Sequence, residues 1–195
     1  ANDEIWPNLI IRKLLENRNF EVGFINRIAD HLNTVFLPDR VTHVIDSLKT
    51  LIEPEIGQHY DRWGSPDRDT WEQAIQSMKS FAVDRPNHLR NHIRRHFETG
   101  SEIRLTVDST DPAHGMVKVN SIHINEKSGG PERFVVPWSG TYFSGVPVTM
   151  EAVPEPGYRF SHWSGSEVSE NPIISITPNG NLILKAHFVS VDGAD

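Results

Sequence analysis

One hydrophobic period governs this chain up to Gly100 and a different one governs it afterwards. That change restricts the fold to an all-helical segment followed by β structure. From Ile5 to Phe97 apolar residues recur at three and four, the spacing of one helix face. A first helix is predicted over Glu4 to Glu16, with Ile5, Leu9, Ile10 and Leu14 on one side, and Asn17 to Asn19 supply a break and an N-cap. In the second helix Phe20, Phe24, Ile28, Leu32 and Val35 form a core-facing stripe. Pro38 opens a third, with Val41, Val44, Ile45, Leu48, Leu51 and Ile52 apolar, because proline costs nothing where the N–H has no partner anyway. Pro54 interrupts that run and a short segment from Glu55 to Trp63 continues it. After Gly64 and Pro66, a helix from Thr70 to Ala82 turns Trp71, Ile75, Met78 and Phe81 inward; Arg85-Pro86 then starts a last helix with Leu89, Ile93 and Phe97 inward.

Beyond Gly100 apolar and polar residues alternate, with Val, Ile and Thr enriched and Pro and Gly as punctuation. Strands are predicted over Ile103–Val107, Met116–Val119, Val146–Val153, Tyr158–Trp163, Ile173–Thr177 and Leu182–Phe188. The stretch from Asn120 to Tyr142, with Gly129-Gly130-Pro131, reads as an extended excursion without an assignable partner. The expected class is therefore α+β in two domains, helical over residues 1–99 and a small antiparallel β domain over 102–195, with the boundary near 99 to 102.

Charge and composition exclude several functions. The net charge is −7, with 13 basic against 15 acidic residues up to Gly100 and 6 against 11 after it, and the basic residues are scattered. A nucleic-acid partner is not expected, because polyanion binding concentrates Lys and Arg on one surface. No apolar run approaches the roughly 18 to 20 residues that cross a bilayer, so no membrane span is expected. Zero cysteines remove disulfides, thiolate nucleophiles and cysteine-ligated zinc together. A helical pattern that starts almost at Ala1 leads to the expectation of a piece of a longer protein.

The densest concentration of functional residue types is YDRWGSPDRDTWEQAIQSMKSFAVDRP, from Tyr60 to Pro86. Asp61, Asp67, Asp69 and Asp84 are oxygen donors of the kind a divalent cation takes. Asp67 and Asp69, however, sit in a turn just before Trp71, where short carboxylates cap a helix and oppose its dipole. Arg62 and Arg85 are expected to pair with carboxylates or helix-end carbonyls, and Trp63 and Trp71 to fill the junction as a rigid hinge. His88, His92 and His96 share a helix face, but no H-E-x-x-H pattern accompanies them and Arg90, Arg94 and Arg95 repel a cation, so no metal site is expected. Glu55 and His59 read as a surface pair one turn apart. Ser164 beside His162 lacks a nucleophile elbow. Trp138, Tyr142 and Tyr158 are candidate binding aromatics, whereas Phe160 and Trp163 are assigned to the core; because they lie on opposite faces of a regular strand, a core Trp163 requires a bulge or a sheet covered on both sides. Asp108 and Asp111 read as turn formers.

Three stretches of the helical half, Leu14 to Phe36, Val44 to Trp63 and Trp71 to Pro86, carry an ordered signature. It runs F-x-x-x-F-x-x-R (Phe20, Phe24, Arg27), I-x-P-E-I (Pro54, Glu55), H-x-x-R-W (His59, Arg62, Trp63) and, after Trp71, F-x-x-x-R-P (Phe81, Arg85, Pro86). In this it resembles the C-terminal part of the CotH family of spore-coat-type atypical protein kinases. The β half, through PVTMEAVPEPGYRFSHWSG (Pro147 to Gly165) and LILKAHF (Leu182 to Phe188), resembles the divergent bacterial repeat domain of the internalin B type. That resemblance implies a β-grasp-like fold, a spacing or adhesive role and a bacterial cell-surface or extracytoplasmic location. Phosphoryl transfer needs a phosphate cradle, a paired lysine and metal-binding carboxylates. The chain has no Gly-rich phosphate loop, and only three lysines precede Gly100. The first resemblance places the ATP and magnesium site upstream, so the signature residues are expected to be structural, with no cofactor in this chain. The expected partner is the missing N-terminal part of the same polypeptide. The competing expectation is a self-sufficient module that recognises a surface protein or a glycan, marked by solvent-facing Trp138, Tyr142 or Tyr158.

Overall fold

A computed structural model describes residues 9–124 and 135–191. Helices α1 (Leu9–Leu15), α2 (Arg18–Leu32), α3 (Pro38–Ile52), α4 (Ile56–Trp63) and α5 (Arg68–His96) come first, with a 3-10 turn at Glu53–Glu55. Strands β1 (Glu102–Ser109), β2 (Gly115–Val119), β3 (Ile122–Ile124), β4 (Trp138–Phe143), β5 (Val148–Pro154), β6 (Tyr158–Gly165), β7 (Ile173–Ile176) and β8 (Leu182–Ser190) follow. They build two four-stranded sheets, ordered β4-β1-β8-β6 and β3-β2-β5-β7. Pairing is antiparallel except between β1 and β8, which run parallel at the centre of the first sheet. A helical segment followed by a mainly antiparallel β domain is the class that the change of period predicts.

Two compact units divide the chain: His31–His92 is one, and the residues before and after it form the other. The second is β-rich and has one core, drawn from both sheets and completed by helix residues Ile25, Ala29 and Ile93. The buried stripe of α2 thus differs from the expected one. Ile25 and Ala29 enter the core and Leu32 of the expected stripe is buried, whereas Phe20, Phe24 and Ile28 are only partly buried, Phe24 and Ile28 packing against the core's edge, with the Phe24 ring 5.9 Å from Phe97. Val35 is exposed.

Helix α5 is continuous through Pro86, which corrects the expected restart at Arg85-Pro86. Burial of Ile75, Ala82 and Pro86 along one side compensates the hydrogen bond that proline removes. Strands β3 and β4, inside the stretch that had no assignable partner, pair with β2 and β1 respectively. Gly129 to Pro131, Ile5 and Trp6 lie outside the described residues.

Of the two ways in which Trp163 could reach the core, a bulge or a sheet covered on both sides, β6 contains the bulge. Phe160 pairs with Phe188 and His162 with His187, so Ser161 is the extra residue. The shift turns both Phe160 and Trp163 inward; Trp163 is fully buried, its ring 5.6 Å from that of Phe160.

Candidate functional site

In the helical unit, the hinge stretch is a capped turn. Asp67 Oδ1 accepts the Thr70 N–H at 2.7 Å, and this bond holds the Asp67 carboxyl below the usual carboxylate range. The turn is also tied by His59, whose Nε2 donates to the Ser65 carbonyl at 3.1 Å, while Glu55 stands exposed at the start of α4 beside the exposed Pro54. Trp71 is half-buried with the Lys49 ammonium 5.7 Å from its ring, and Lys49 bonds Glu72 at 2.8 Å. Trp63 is 66% exposed and does not fill the junction; Arg62 stacks over it instead, with 5.1 Å between guanidinium and ring. Arg85 likewise covers Phe81, which is 63% exposed rather than inward. Both arginines stack on aromatic faces, and among the described residues neither pairs with a carboxylate or a helix-end carbonyl as expected. Among the described residues no three His, Asp or Glu side chains converge as metal ligands.

An apolar groove of about 690 Å³ opens on the same unit. Phe36, Val41, Ile45, Met78, Phe81 and Leu89 line it, and Arg85 is its one charged residue. Helix α3 buries none of its residues, and Val44, Leu48, Leu51 and Ile52 are exposed on it. A lining with one guanidinium and no carboxylate does not fit a magnesium–nucleotide.

In the β-rich unit, a polar cleft of about 640 Å³ lies between one face of α2 and the β2–β3 turn with the start of β5. The face carries Arg18, Asn19, Asn26, Arg27 and Asp30, in which three- and four-residue spacing recurs. Asp30 is only 2% exposed, and the opposite wall closes on its carboxylate. Oδ1 accepts from the Tyr142 hydroxyl at 2.9 Å and the Asn120 amide at 3.3 Å; Oδ2 accepts from the Ser121 N–H at 3.0 Å and its hydroxyl at 2.5 Å. Buried Asn26 donates to the Pro147 carbonyl at 2.7 Å. Sequence reasoning missed this network. Its signal was Asn26 and Asp30 at i and i+4 on the side of α2 that also carries Ile25 and Ala29.

The candidate binding aromatics are placed differently from the expectation. Tyr142 is fully buried and supplies a hydroxyl to Asp30, and Trp138 is buried in β4, so neither is a solvent-facing platform. Tyr158 is half-buried and stacks on His114 with ring centres 3.9 Å apart. The exposed face of β6 and β8 carries a stacked imidazole pair, His162 and His187, 4.2 Å apart and nearly parallel. Ser164 Oγ lies 2.7 Å from Nε2 of His187. Burial, then His162, then Lys185 lower the His187 pKa; Asp108, paired with Lys185, opposes them. A lowered folded-state value for His187 means that its contribution to stability is present above the unfolded value near 6.5 and is lost as pH falls through the folded one. We therefore expect thermal stability of the β-rich unit to drop below about pH 6.5 and the drop to shrink in His187→Gln, measured by melting at stepped pH. An unchanged acid slope in that variant would refute the assignment.

A helical segment with an uncovered apolar face, joined to a two-sheet β domain, is the class that these features define. Family comparison agrees with both halves. Residues 2–89 match the CotH kinase protein family and residues 121–192 match the divergent InlB B-repeat domain, in the order that the sequence resemblance implies. Strands β1 and β2 precede the second match yet occupy inner positions of the two sheets. No significant match was found among curated proteins or solved structures.

Proposed function

We propose that this chain is a non-catalytic C-terminal part of a CotH-like atypical protein kinase. It supports an upstream nucleotide-binding part and spaces or tethers that part at a bacterial cell surface through its repeat-like β domain. The observation that carries this reading is the apolar face of the helical unit, where Phe36, Met78 and Phe81 are exposed at a groove that holds no carboxylate for magnesium, and Leu48 and Leu51 are exposed on α3 of the same unit. The upstream part would bring ATP and magnesium, and the parent would transfer a phosphoryl group to a protein hydroxyl. Among the described residues no helix is long and apolar enough to cross a membrane, which leaves surface attachment to the β domain or to other parts of the parent.

Titration of magnesium-ATP into the purified chain, with ADP as control, tests the reading. A cooperatively melting protein is expected to give no saturable heat, and micromolar binding would overturn it. The competing reading, a self-sufficient surface module for a protein or carbohydrate, has the polar cleft in its favour.

A further inference from the structure

We propose that the polar cleft of the β-rich unit binds an oxyanion, a carboxylate or phosphate carried on a small polar ligand, with Arg27 as the anchoring cation. Three observations converge on it. The cleft's volume of about 640 Å³ is within the range of small-molecule sites, roughly 300–1,000 Å³. Its walls are fixed before any ligand arrives, because the Asp30 network, the Asn26–Pro147 bond and the 2.9 Å bond from the Thr149 N–H to Asn120 Oδ1 tie helix, turn and strand together. Within the cleft, the charged groups divide sharply by availability.

Asp30 is the lining carboxylate, and four donors already occupy its oxygens. Arg18 is held by Glu21. Arg27 is exposed and has no hydrogen-bond or ion-pair partner among the described residues, so its planar fork is available for a bidentate oxyanion. Asn19, Thr149 and Ser175 add side chains that bond the rest of a polar ligand, and Val22 and Pro147 give its carbon skeleton a surface. No aromatic ring lines the cleft, which disfavours a neutral sugar held by stacking.

The test is an NMR titration of the full chain with inorganic phosphate and, separately, with acetate, at low ionic strength, comparing wild type with Arg27→Gln and with Arg159→Gln, an exposed arginine on β6 outside the cleft. Saturable shifts confined to cleft residues are expected for at least one anion. Arg27→Gln should weaken binding at least about tenfold, as loss of a charged hydrogen-bond pair does, without changing the melting temperature, while Arg159→Gln should bind as wild type does. The tighter anion then identifies the ligand's charged group. No saturable shift with either anion, or equal weakening in the two variants, would overturn the proposal. Because these titrations contain neither magnesium nor nucleotide, their result is independent of the ATP experiment.

Discussion

Asp30→Ala will destabilise the β-rich unit by about 3 kcal/mol or more, since each buried donor left without its acceptor costs on the order of 1–3 kcal/mol. The carboxylate is the point at which three chain segments meet: α2, the β2–β3 turn through Asn120 and Ser121, and β4 through Tyr142. Tyr142 is fully buried, so its hydroxyl cannot turn to water when Asp30 is removed. Asp30→Asn keeps the volume and one acceptor oxygen, and should fall between wild type and alanine. Urea unfolding followed by the fluorescence of buried Trp138 and Trp163, in a background with Trp6, Trp63 and Trp71 replaced by Phe, reads this unit. A double-mutant cycle with Tyr142→Phe separates the network from simple cavity effects. The two changes should be non-additive by about 0.5–3 kcal/mol, because each abolishes the same bond. Strict additivity would mean that the hydroxyl and carboxylate do not act together, and the cleft would lose its anchor.

Much of the fold is legible in the sequence because local period reports local structure. The alternation of Leu182, Leu184, Ala186 and Phe188 gives β8 its buried face, and the opposed parity of Phe160 and Trp163 leaves a bulge or a doubly covered sheet, of which β6 contains the bulge. Asp67 reads as a cap because a short carboxylate before a helix has one inexpensive use, and the Thr70 N–H meets it. Period does not report which surface covers a face. The apolar positions of α3 are spaced as a core stripe, yet α3 buries none of its residues, and Trp63 and Phe81 stand exposed beneath arginines. Nor does it reveal partners distant in sequence. Tyr142 is 112 residues from Asp30, and nothing local to either marks the pair, so an aromatic that looked like a ligand platform is a buried hydrogen-bond donor.

Gly165→Ala should be at least as disruptive, and the reason lies in the HWSG sequence that carried the repeat-domain resemblance. Gly165 ends β6 with φ +106°, and a Cβ there would stand 2.2 Å from the Ile183 carbonyl oxygen. That oxygen already accepts the Ser166 N–H at 2.8 Å, and the Ile183 N–H is bonded by Ser166 Oγ at 2.9 Å. Strand β8 pairs with β6 on one side and with β1 on the other, so its backbone has no room to withdraw. Gly157 supplies an internal control: its φ is +89°, but nothing lies within 4 Å of an added Cβ. Gly157→Ala should therefore cost only the backbone strain, about 1 kcal/mol, whereas Gly165→Ala should cost about 3 kcal/mol or more because strain and clash add. Urea midpoints of the two variants, compared at equal slope, measure the difference. Equal losses would show that β8 yields to a methyl group and that the end of β6 is looser than the hydrogen bonds across it imply.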